Sequence, residues 1–76
     1  MNILVAGGAG FIGSHLCDAL LAKGHKVIVA DKLIMGGQNI EHLKGNDDFR
    51  FYKIELADQA NVDKLFVENK IDAVYH

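Results

Sequence analysis

The residues best placed to do chemistry are glycines, in the run Gly7-Gly8-Ala9-Gly10-Phe11-Ile12-Gly13. Two spacings overlap there. Gly8, Gly10 and Gly13 fit G-x-G-x-x-G, while Gly7, Gly10 and Gly13 fit G-x-x-G-x-x-G, so the pattern leaves open which glycine makes the tight turn. The chemistry is anion binding by main chain. One of the first pair permits a sharp turn at positive φ, which is cheap only for glycine. Gly10 has no Cβ, so the backbone can approach a pyrophosphate, and Gly13 lets a helix lie close against the preceding strand. The amides of Phe11 and Ile12 and the helix dipole then face the phosphates. No cationic side chain lies in this run, so backbone donors carry the binding.

A glycine-rich turn with no ligand is the simpler alternative. Context separates the two, because the run follows an apolar strand-like segment and opens a helix-like one. Asp31 adds a second signal at the end of the next apolar run. A carboxylate there accepts hydrogen bonds from the adenosine ribose and repels a 2′-phosphate, which selects NAD over NADP. Lys32, its neighbour, sets a cation where it partly offsets that repulsion.

The elements that must position these groups are legible from periodicity. Asn2 to Ala6 (N-I-L-V-A) reads as a parallel strand buried on both faces. From Phe11 to Lys23 the period becomes helical, with Ile12, Leu16, Ala19, Leu20 and Lys23 recurring and Gly24 placed to end the helix. Lys26 to Asp31 reads as a second buried strand, Lys32 to Gly37 as a loop, and Gln38 to Lys44 as a short helix with Ile40 and Leu43 inward. Phe49 to Ile54 is the third predicted strand. Asp58 suits the N-cap of a helix over Gln59 to Asn69, with Val62, Leu65 and Phe66 on one face. Asp72 to His76 starts a fourth strand.

This alternation predicts one unit over residues 1–76, an α/β, partial Rossmann fold. Its parallel sheet has the order 3-2-1-4 with helices on both faces and right-handed crossovers. The ligand crevice is expected where the order reverses, between strands one and four.

Composition narrows the remaining options. The chain has 76 residues, 50% apolar and 24% charged, with a net charge of −2, which suits an ordinary globular chain. Its lysines are scattered singly and Arg50 is the only arginine, which argues against a nucleic-acid surface. Cys17 stands alone, so no internal disulfide forms and a reducing compartment fits. No secretory signal is expected, and no apolar run comes near the roughly 18 residues a membrane span needs, so the expected location is cytoplasmic.

The motifs together resemble the start of the extended short-chain dehydrogenases/reductases, in the nucleotide-sugar epimerase/dehydratase group. The stretch from Val5 to Leu16 is similar to the group's G-G-x-G-F-I-G-S-H signature. Asp31-Lys32-Leu33, with Gly36 and Asn39-Ile40, resembles its ribose loop, usually D-N-L-x-x-G, and Glu55-Leu56-Ala57-Asp58 resembles its D-L/I-x-D adenine-side motif. Lys32 stands for the usual Asn and Glu55 for the usual Asp. The resemblance spans the chain and implies NAD as cofactor, held by Gly7, Gly10, Phe11, Ile12, Gly13, Asp31, Lys32, Glu55 and Leu56. It implies a nucleotide sugar as substrate of the full-length parent, an epimerase or else a dehydratase or decarboxylase. The group's catalytic Tyr-x-x-x-Lys is not matched, since Tyr52 is followed four residues later by Leu56 and Tyr75 has no such lysine. The segment therefore reads as an N-terminal part without catalytic residues, or as a non-catalytic nucleotide-binding module.

Other residues have plainer readings. Cys17 is expected as a small buried packing residue, and the four histidines show no metal-ligand spacing, so no metal is assigned. His15 either reaches the diphosphate or is a solvated helix residue. Phe11 either covers the cofactor or staples the helix start, and Asp58 is a cap before it is a ligand. Asp47 and Asp48 suit a solvated loop. An apolar fourth strand at the sheet edge predicts self-association, through that edge or through a swapped element.

Overall fold

The computed structural model describes residues 1–7, 11–32 and 38–75. The elements run β1 (Asn2–Ala6), α1 (Phe11–Ala22), β2 (Lys26–Asp31), a 3-10 helix (Gln38–Leu43), β3 (Phe49–Lys53), α2 (Gln59–Glu68) and β4 (Ala73–Tyr75). All strand pairs are parallel and the order is β3-β2-β1-β4, as the alternation predicts. Leu33 to Gly37, where most of the predicted loop falls, and His76 lie outside the described residues.

The alternation of side chains along each strand splits the core into two layers. Ile3, Val5, Val27, Val29 and Phe49 pack against Cys17 and Leu20 of α1 and against Ile40 and Leu43 of the 3-10 helix. Leu4, Ile28 and Ala30 point to the opposite face, where they meet Leu65 of α2. β1 and β2 bury both of their faces, which is why they read as continuous apolar runs.

Two helix faces depart from expectation. Of the predicted α1 stripe Leu20 is buried and Leu16 packs against the core, but Ile12 is 82% exposed and Ala19, with Lys23 just beyond the helix, also faces water; Ser14 and Cys17 are buried instead. Both sets have helical spacing, and spacing alone does not set the phase about the helix axis. On α2 Leu65 is buried and Val62 half-buried, but Phe66 is 49% exposed. The 3-10 helix does turn Ile40 and Leu43 inward.

Local signals end the helices. Gly24 has φ +87°, and the amides of Gly24 and His25 donate to the carbonyls of Leu21 (3.0 Å) and Leu20 (3.2 Å), a Schellman closure of α1. Asp58 caps α2, its side chain accepting from the Ala60 amide at 2.9 Å. The start of the sheet is pinned by Asn2, whose amide donates to Asp72 Oδ2 (2.8 Å) and whose side chain donates to the Lys70 carbonyl (2.9 Å).

Candidate functional site

The carboxyl ends of β1, β2 and β3 finish side by side because the ladders continue past the strands. The Gly7 amide donates to the Ala30 carbonyl at 2.9 Å, and the Ile54 amide to the Asp31 carbonyl at 3.2 Å. Gly7 has φ +75°, a conformation L side chains adopt rarely. Gly7 thus carries a positive-φ bend at the exit of β1. Gly8 and Gly10 lie outside the described residues.

α1 begins at Phe11, so the amides of Phe11 and Ile12 belong to its first turn, where a helix has no internal acceptors for them. The Ile12 side chain itself is exposed. Gly13 is half-buried in the same turn.

Beside Gly7 opens a cavity of about 220 Å³, lined by Gly7, Ala30, Asp31, Lys32, Ile54, Glu55 and Leu56. Five of the nine candidate residues therefore share one wall. Ala30 and Ile54 were not candidates; they follow from register, since Asp31 pairs with Lys53 and carries Ile54 to the rim. The volume falls below the roughly 300–1,000 Å³ of a complete small-molecule site, so it suits one part of a dinucleotide. The described cavity spreads toward β2 and β3; Gly8 to Gly10 and His76, on which the expected crevice between β1 and β4 depends, lie outside the described residues. A second, polar cavity at the amino ends of the strands is lined by none of the candidates, and open α/β sheets bind ligands at the carboxyl ends.

The electrostatics of the wall centre on one pair. Lys32 Nζ forms an ion pair with Glu55 Oε2. Glu55 Oε1 accepts from the Ala57 amide at 3.0 Å, and the Glu55 carbonyl accepts from Asn61 Nδ2 at 3.0 Å. The hydrogen bond from Lys32, then that from Ala57, hold the Glu55 carboxyl below the usual carboxylate range. Asp58 acts as the helix cap, and His15 is exposed on α1. No cluster of three metal-ligating side chains occurs among the described residues, nor is any helix there long and apolar enough to cross a membrane.

These features suit a dinucleotide: a bend with no described residue within 4 Å of where a Cβ would stand, a helix start, a carboxylate and an apolar wall. Residues 3–76 match the model of the NAD dependent epimerase/dehydratase family. The chain belongs to that family. It is 42% identical over 80 residues to UDP-glucose 4-epimerase of Bacillus subtilis, covering 100% of this chain and 23% of that protein. It is 43% identical over 76 residues to UDP-glucuronic acid decarboxylase 1 of Danio rerio, covering 99% of this chain and 16% of that one. Among solved structures, dTDP-glucose 4,6-dehydratase of Bacillus anthracis in complex with NAD matches with TM-score 0.89 and 31% identity, over 97% of this chain and 25% of the other. This family segment spans about a quarter or less of those relatives.

Proposed function

We propose that this chain is the NAD-binding N-terminal portion of a nucleotide-sugar epimerase similar to UDP-glucose 4-epimerase. The observation that carries the reading is that the Gly7 bend and Asp31 line one open cavity at the carboxyl end of a 3-2-1-4 sheet. The amides of Phe11 and Ile12 receive the diphosphate, with Gly10 and Gly13 allowing the close approach. Asp31 and Lys32 face the adenosine ribose, and Glu55 and Leu56 the adenine edge. NAD bound to the whole enzyme would supply a hydride acceptor and donor for the sugar ring. The acid/base work falls to residues outside this segment.

The Danio rerio relative favours a second reading, a decarboxylase or dehydratase branch with the same opening segment. Product analysis of the full-length protein with a UDP-hexose and a UDP-hexuronic acid separates the branches. The proposed setting is cytoplasmic, with self-association along the β4 edge, which sedimentation at rising concentration tests.

Calorimetric titration with NAD, NADP and ADP-ribose tests the cofactor site. NAD and ADP-ribose bind one to one and NADP binds more weakly. Gly10→Leu abolishes binding, since its side chain occupies phosphate space. Absence of NAD binding overturns the proposal.

A further inference from the structure

We propose that Glu55 governs discrimination against a 2′-phosphorylated dinucleotide by holding Lys32 in an ion pair, so that this cation is not offered to the phosphate. The inference rests on the cofactor reading above and concerns the same cavity. Lys32 follows Asp31 directly at the carboxyl end of β2, and both line the cavity with Gly7. A basic side chain beside the ribose carboxylate is the kind of group that admits a 2′-phosphate. Here that group is engaged from across the cavity by a carboxylate on the segment between β3 and α2.

Glu55 is organised for this task. One oxygen is bound by the Ala57 amide, and the main chain beside it is bound by Asn61 Nδ2. The other oxygen is left to face Lys32 Nζ. The pair's side chains are 52% and 44% exposed, and ion pairs that open to water add little to folding. Its main consequence is therefore the charge presented to a ligand. With both partners ionised, Asp31, Lys32 and Glu55 together carry more negative than positive charge, which repels a phosphate. Without the Glu55 charge, the ammonium turns to whatever anion enters.

The test is the ratio of NADP to NAD affinity, measured by calorimetry for the wild-type chain, Glu55→Gln, Lys32→Met and the double variant. Glu55→Gln shifts the ratio toward NADP by roughly tenfold, the scale of one charge-assisted hydrogen bond. Raising the salt concentration erases much of that gain. In the Lys32→Met background, Glu55→Gln shifts the ratio far less, because no ammonium remains to be released. An equal shift in both backgrounds overturns the inference, since Glu55 then repels the phosphate directly. An unchanged ratio in Glu55→Gln with NAD still bound also overturns it and leaves the cofactor reading standing. Failure of the wild-type chain to bind NAD overturns both.

Discussion

The Gly7 amide, one residue past the end of β1, donates at 2.9 Å to the carbonyl of Ala30, the β2 residue paired with Ala6. That bond ties the bend leading toward α1 to the strand that delivers Asp31. The glycine bend and the ribose-side carboxylate are thus parts of one hydrogen-bonded frame.

Gly7→Ala should isolate the conformational cost of this bend. Among the described residues nothing lies within 4 Å of the added Cβ, so the penalty expected there comes from φ +75° rather than from a clash. Urea unfolding should show a loss of about 1 kcal/mol, with a larger loss for Gly7→Val. A neutral Gly7→Val would sink the assignment of the bend to Gly7.

Asn69 locks the end of α2 to β3. Its Nδ2 donates to the Leu65 carbonyl (3.0 Å) and to the Tyr52 hydroxyl (3.1 Å), and its Oδ1 accepts from Arg50 Nη1 (3.3 Å). Asn69→Ala should cost about 1–3 kcal/mol, because it leaves these partners of a buried residue incompletely bonded. Tyr52→Phe should cost less, since the amide keeps its bond to Leu65. The order of the two unfolding midpoints checks the claim.

Burial, and next the charge of Asp18, pushes the Cys17 thiol up to about 11. The residue is 0% exposed, so a thiol reagent at pH 8 should label it only as fast as the chain opens. A raised thiol pKa means that the folded state holds its proton longer than the unfolded one. Stability from this group is complete below the ordinary thiol pKa of about 8.5 and falls as pH rises from there to about 11. Labelling as fast in native buffer as in denaturant would contradict this.

Glu55 titrates in the opposite sense. Lys32 and the Ala57 amide favour its charged form, so any stability it contributes is present above the ordinary carboxylate range and is lost as pH falls through its lowered pKa. Lys32→Met should raise that pKa, read from the carboxyl carbon shift by NMR. Identical titrations in wild type and variant would show that the two side chains do not pair in solution.

Much of the scaffold was legible because its signals are local. The apolar runs at Asn2 to Ala6 and Lys26 to Asp31 are the observed β1 and β2, Asp58 caps α2, and Gly24 closes α1. Boundaries moved by a residue: β3 stops at Lys53, although the Ile54 amide still reaches the Asp31 carbonyl, and Asn69 is the C-cap of α2 rather than its last turn. Its place at the end of the second strand identified Asp31, and the family resemblance added Glu55 and Leu56 as candidates. Ala30 and Ile54 carried no chemical signature, and only strand register placed them on the cavity wall.

By itself the sequence determined the order and type of the elements, the glycine bend and the acidic residue after the second strand, since propensity and periodicity act over a few residues. Tertiary structure decided which face of α1 is buried and that Lys32 meets Glu55. A helical period has no phase until the helix docks on the sheet. Two side chains so far apart in sequence become neighbours only when β2 and β3 pair in register, Asp31 against Lys53, and carry both to the same end of the sheet.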